Sequence, residues 1–258
     1  MNLTWIAMLL TTALFVGMLI TFEVGRRIGV ARLRRDPDGL TKGAGAAEGA
    51  VFGLLGLLLA FTFSGAASRF EARRFFIDTE ANAIGTAYLR LDLLAEESQP
   101  PMRDLFRRYA DNRTTVYQGA DFDAVKAKLA EGAALQMEIW QQAVAACRLP
   151  GAASQATMLL LPALNEMIDI TATRVTATAN HPPGIIYLLL VTLSLLGALL
   201  VGYGVSPNKD RSLLHQGTFA LVTSLAIYVI VDLEYPRLGL IRIDTADQAL
   251  IDVRSSMR

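Results

Sequence analysis

The most constraining feature of this chain is an apolar run that does not stop where a membrane would end. Gly49–Ala67 is apolar enough to sit in hydrocarbon, and it continues into SRFEARRFFIDTEANAIGTAYLRL, Ser68–Leu91, with no proline and no glycine pair. In that continuation Phe70, Ile77, Ile84 and Leu91 recur every seven residues, and Ala81 and Tyr88 follow Ile77 and Ile84 by four. This is a heptad-like stripe on one helix face. Glu71, Arg74 and Asp78 stand at the three- and four-residue spacings of helical ion pairs. The pattern predicts one helix from Gly49 to about Leu94. At 1.5 Å per residue it is about 70 Å long, more than twice the ~30 Å hydrocarbon thickness. Its second half must find partners outside the bilayer.

Three further segments reach the length of about 20 residues that a span needs: Leu3–Phe22, Gly184–Gly204 and Leu213–Leu233. A mean hydropathy of +0.38, with 53% apolar residues, agrees with a membrane protein. The first segment reads as a retained helix and not a signal peptide, because Met1–Thr4 carries no Lys or Arg and the run is long. The spans form two hairpins, joined by a loop at Glu23–Glu48 and a turn at Ser206–Ser212. The expected organisation is a first hairpin over 1–67, a helical extramembrane region over 68–183, a second hairpin over 184–235, and a tail over 236–258.

The region between the hairpins reads as helical throughout. QPPMRD, Gln99–Asp104, starts a helix with prolines in its first turn. Leu105, Phe106, Tyr109, Val116 and Tyr117 continue it. Further helices are predicted over Phe122–Arg148, ended by Leu149–Gly151, and over Ser154–Ala179, ended by NHPPG at Asn180–Gly184. No strand-like alternation occurs, so the fold class expected is all-α, a polytopic membrane protein.

Twenty-four basic and 24 acidic residues cancel, and this balance suggests neither a nucleic-acid partner nor a polybasic lipid patch. The single cysteine, Cys147, excludes an intrachain disulfide and a Cys-rich zinc site. His181 and His215 lie far apart, so no metal site is expected. No P-loop, G-x-S-x-G, H-E-x-x-H or dinucleotide fingerprint occurs, so neither an enzyme nor a cofactor is expected. Glu48, Asp232 and Glu234 fall at span ends, where carboxylates are usually solvated. The absence of an acid at mid-span counts against a proton-driven motor or transporter. The alternating charges of 69–111 read most simply as a solvated, ion-paired helix surface. LVGYGV, Leu200–Val205, is not a potassium filter, since it closes an uninterrupted span; Gly202 and Gly204 are expected to end that helix. Gly49-x-x-x-Gly53 suggests a close helix approach within one subunit. Arg26, Arg27, Arg32, Arg34, Arg35 and Lys42 in the first loop, with Lys209 and Arg211 in the turn, nearly balance the arginines near the other span ends. Charge alone leaves the orientation undecided.

LLGLLLAFTFSGAASRFEARR followed by ANAIGTAYLR resembles the signature helix of the bestrophin channels, and still more the bacterial bestrophin-like domain. The positions that carry the likeness are Phe61, Thr62 and Ser64, then Arg69, Phe70, Glu71, Ala72 and Arg73. The tryptophan-rich pair typical of bestrophins is reduced here to Arg69-Phe70, and the tail is short. The resemblance implies a homo-oligomer, a pentamer, in the bacterial inner membrane. It implies small inorganic ions as what passes and places the large helical region in the cytoplasm. The second helix would line a hydrophobic neck at Gly53, Leu57 and Phe61, four residues apart on one face. Such apolar rings can gate by dewetting. Thr62, Ser64 and Ser68 would form a polar exit, or would bond back to their own helix. An alternative remains: a non-conducting membrane scaffold or stress-response sensor, assembled through the long helix.

Overall fold

The computed structural model describes residues 3–35, 44–116, 122–150, 152–206 and 213–257. Its elements are α1 (Leu3–Leu33), α2 (Ala44–Leu89), α3 (Gln99–Thr115), α4 (Phe122–Cys147), α5 (Ser154–Ala179), α6 (Gly184–Gly204), α7 (Leu213–Glu234) and α8 (Gln248–Ser256). Among the described residues there is no strand. The protein is an all-α polytopic membrane protein with four helices long and apolar enough to cross a bilayer. Lys42, Tyr117, Lys209 and Arg211 lie outside the described residues, as does most of the turn after Ser206.

The chain forms two compact units, one of Met1–Phe70 with His181–Ile241, the other of Glu71–Asn180 with Arg242–Arg258. α2 passes from the first to the second without a break, and 46 residues give it a length of about 69 Å. The helix then tightens into a 3₁₀ turn over Arg90–Leu93.

In the first unit α1 packs along α6 and α7. Met18, Phe22, Leu55, Leu190 and Ala198 form its core. The close approach is made by glycines of α1 and α6. A Cβ on Gly25 would lie 2.0 Å from the Leu199 carbonyl oxygen, and one on Gly202 would lie 2.1 Å from that of Phe22. Gly202 is therefore a packing residue inside α6; Gly204 closes the helix as expected. The approach expected at Gly49 and Gly53 does not occur, because a Cβ at either meets nothing within 4 Å. α1 also outruns its apolar segment, from Phe22 to Leu33. No breaker intervenes there, and Glu23 pairs with Arg26 and Arg27 at 3.1 and 2.9 Å, a helical spacing.

The second unit is built around a buried ionic centre. The stripe Ile77, Ile84 and Leu91 is buried as predicted. Glu80 lies on the same stripe, fully buried, between Arg113 of α3 and Arg174 of α5. Arg113 Nε donates to Glu80 Oε1 at 2.6 Å, and Arg174 pairs with Oε2. Gln136 of α4 donates to the Tyr109 hydroxyl at 2.8 Å, and that hydroxyl is 3.0 Å from Thr171 Oγ1. Arg174 also reaches Asp247, just before α8, at 3.4 Å. The solvated surface expected for these charges holds for Glu71 and Arg74, an exposed pair at 3.2 Å. It fails for Glu80, because its position repeats with the apolar residues and turns inward.

Candidate functional site

Helical periodicity gives the membrane part of α2 two unlike faces. Leu55 and Ala66 are buried in the first unit. Gly53, Leu57 and Phe61 point away from it, and Leu57 and Phe61 keep 52% and 67% of their surface exposed. Four-residue steps separate the three by about 6 Å along the axis. Exposed Ser64 and Ser68 continue the line. From Gly53 to Ser68 the strip holds no titratable group. It offers apolar surface followed by hydroxyls, a surface for partition and packing and not for proton chemistry.

Thr62 lies beside the strip and turns back on its helix, donating to the Leu58 carbonyl at 2.6 Å. This satisfies the hydroxyl locally. Phe70 packs against the small cluster of Ala66, Ile230 and Leu233. Arg69 Nε donates to Glu234 Oε1 at 2.8 Å, at the end of α7. His181 Nδ1 lies 3.4 Å from Glu234 Oε2, and its ring stacks on Tyr235 at 4.5 Å between centroids.

Glu234 is thus not solvated, as its place at a span end suggested; it is 1% exposed and held by a cation from α2. Asp232 departs in the same way. Its carboxylate accepts the Leu240 and Ile241 backbone N–H groups at 3.0 and 2.7 Å. A Cβ on Gly239 would meet that carboxylate at 1.8 Å, so the loop closes only with glycine there. The sequence signal for both acids was weak, since a lone carboxylate after an apolar run looks the same whether solvated or capped.

Within the second unit Arg73 is buried. Its Nε and Nη2 donate to the carbonyls of Ala177 and Asn180, at 3.2 and 2.9 Å. A guanidinium at the carbonyl end of α5 satisfies groups that the helix leaves open and complements its dipole. The residues of the RFEAR motif therefore diverge. Arg69 and Arg73 each fasten α2 to another helix, Phe70 packs, and Glu71 is exposed. Of these anchors, Arg69 lies in the first unit, which also carries Gly53, Leu57 and Phe61.

The profile of the Bestrophin-like domain matches residues 13–248. The fold is similar to that of a bacterial bestrophin homolog from Klebsiella pneumoniae, seen in crystal structures of two variants. For a tryptophan-to-alanine variant the TM-score is 0.69 at 14% identity, over 95% of this chain and 98% of that one. For a tyrosine-to-alanine variant it is 0.58 at 16%, over 94% and 99%. The crystal structure of a membrane protein with a proline-to-alanine substitution gives 0.62 at 15%, over 94% and 99%. A search of curated proteins gives no match. At these identities the structural likeness speaks for the fold, and it covers nearly the whole chain in each case. With the domain profile spanning most of the sequence, the chain belongs to the bestrophin-like family.

Proposed function

We propose that this protein is a subunit of a passive ion channel in the bacterial inner membrane. It assembles with copies of itself, five to a ring, around the exposed strip of α2. Gly53, Leu57 and Phe61 form an apolar neck, and Ser64 and Ser68 form its polar exit. Arg69 and Arg73 act as positioning residues that hold the strip toward the axis. The large helical region faces the cytoplasm. Family membership supports the channel class. The observation that carries the neck is the exposure of Leu57 and Phe61 on a helix whose opposite face is buried.

Recording from purified protein in planar bilayers under a salt gradient tests this. The wild type is expected to give unitary currents with a defined reversal potential. Leu57→Ala and Phe61→Ala are each expected to raise conductance by widening and wetting the neck. Silence from all three proteins, with folding and ring assembly verified, would refute the channel and favour the scaffold or sensor.

A further inference from the structure

In the first unit α1 and α6 run side by side, and glycines bring their backbones together toward the ends of both helices. Gly25 lies against Leu199 and Gly202 against Phe22, and a Cβ on Gly29 would stand 2.8 Å from the Tyr203 carbonyl oxygen. Nearer the start of α1 the contact has already loosened to a side chain, since a Cβ on Gly17 would meet Leu195 Cδ2 at 3.3 Å. Two stiff helices in backbone contact toward one end part toward the other. The space this leaves is a wedge of about 570 Å³ between α1, α6 and α7.

To its walls α1 supplies Leu10 and Leu14, α6 Val191 and Leu195, and α7 Ile227 and Val231. Each pair stands four residues apart and so shares one helix face. Leu14 and Ile227, each 7% exposed, form the floor, and Leu10, 62% exposed, stands at the open lip. The Thr11 hydroxyl beside them turns back on its own helix, donating to the Ala7 carbonyl at 2.8 Å. Water placed there finds few partners, and apolar cavities without partners stay dry. From Ile6 to Gly17 the wedge runs about 17 Å along α1, about the depth of one leaflet's hydrocarbon. Polar groups begin where it ends. The rings of Tyr187 and Tyr235 line it at the start of α6 and the end of α7. Tyr235 stacks on His181, whose Nδ1 lies 3.4 Å from the Glu234 carboxylate. Tyrosines at the ends of spans mark the membrane–water interface. The wedge is therefore dry and apolar through one leaflet and bordered by polar groups at headgroup level.

We propose that this wedge holds one acyl chain of a phospholipid from the surrounding leaflet. Hydrocarbon is the filling the walls select, because an empty wedge forfeits dispersion contacts for every atom that lines it and water gains no hydrogen bonds there. A helix of a second copy, about 10–12 Å across, is too broad for a space that tapers to backbone contact, whereas a flexible chain follows the taper. Phospholipid chains are the hydrocarbon present at this depth, and the open side at Leu10 admits one laterally while its headgroup stays at the tyrosine level. The chain joins α1 to α6 and α7 where the glycines do not. The site does not depend on conduction.

Photolabelling of the full chain in phosphatidylcholine vesicles tests the assignment. A fraction of the lipid carries a diazirine midway along one acyl chain, and labelled residues are read by peptide mass spectrometry after illumination. The wild type is expected to take several-fold more label at Val191, Leu195 and Val231 than at Leu188 and Leu189, which lie on α6 outside the wedge and are 60% and 45% exposed. Val191→Trp fills the wedge, and is expected to remove the label from Leu195 and Val231 and to leave that at Leu188 and Leu189. Equal labelling inside and outside the wedge in the wild type overturns the proposal, since the chains then only solvate the surface. Label at Leu188 and Leu189 with none in the wedge also overturns it, the result if a second copy covers the site. Labelling of the wedge by diazirine-bearing palmitic acid, where the phospholipid probe leaves it unlabelled, overturns the phospholipid as the source of the chain. Should Val191→Trp fail to fold, the wild-type pattern decides alone.

Discussion

Glu80→Ala is expected to be among the most damaging single substitutions in this protein, costing about 3–5 kcal/mol. The reason is what stays behind. Arg113 and Arg174 are both buried, and each directs a guanidinium at the Glu80 carboxylate. Removing the acid leaves two like charges facing each other in a dry site. A domain's whole stability is about 5–15 kcal/mol, so the second unit should unfold or lose helical contacts near room temperature. The damage should be conditional. Exchanging all three groups for apolar residues of similar volume is expected to cost less than the single change, because desolvation and attraction then vanish together. Thermal unfolding of the variants, followed by circular dichroism, checks both statements.

The same centre gives a pH dependence with a definite sign. Burial alone would push the Glu80 carboxyl up, but Arg113 and Arg174 beside it outweigh burial and hold it below the usual carboxylate range. The folded pKa is thus lower than the unfolded one. The stabilisation is fully present above the unfolded value of roughly 4.3 and is lost as pH falls through the depressed folded value. The stability gap between wild type and Glu80→Gln is therefore expected to be constant from pH 8 to 5 and to narrow below about pH 4.

Gly202→Leu should be comparably harmful to the first unit, through shape and not charge. Even the Cβ of alanine would sit 2.1 Å from the Phe22 carbonyl oxygen and 2.8 Å from its carbon. These are backbone atoms of α1, so no rotamer change relieves the clash, and α1 and α6 must part. Alanine is expected to cost about 1–3 kcal/mol, and leucine enough to prevent recovery of monodisperse protein in detergent. Gly53→Ala is the control, since its Cβ would enter open space. It should leave the subunit as stable as the wild type or slightly more so, because alanine favours the helix. Thermal scans of detergent-solubilised protein with size-exclusion profiles read all of these effects.

These residues show what was legible in the sequence. Span positions, the uninterrupted α2 and the helical region followed from composition and spacing, because bilayer thickness and helix geometry impose them. The start of α3 at its prolines and the extent of α5 follow in the same way. Burial of charge was harder. Glu80 falls three residues after Ile77 and four before Ile84, so it occupies a core position of the very stripe that defined the helix. That register was the available signal. Its partners lie 33 and 94 residues away, and no local pattern links them. Glu234 pairs across 165 residues with Arg69 for the same reason. Gly202 looks like a helix end in the sequence, because local sequence shows a glycine's conformational freedom and not the backbone of another helix pressed against it. Gly53, Leu57 and Phe61 are legible as a face from spacing, but the neck proposed for them rests on resemblance, since any transmembrane helix has such a face.

Cysteine accessibility along α2, in a Cys147→Ser background, tests the proposed pore wall most directly. Single cysteines would replace Gly53, Leu55, Leu57, Phe61, Ser64 and Ala66 in turn, with current recorded before and after a charged, water-soluble thiol reagent. The expected result is block at 53, 57, 61 and 64 and none at 55 and 66, the period of one helix face turned to a water-filled axis. Block without that period, or no block in a channel that conducts, would contradict α2 as the wall of the pore.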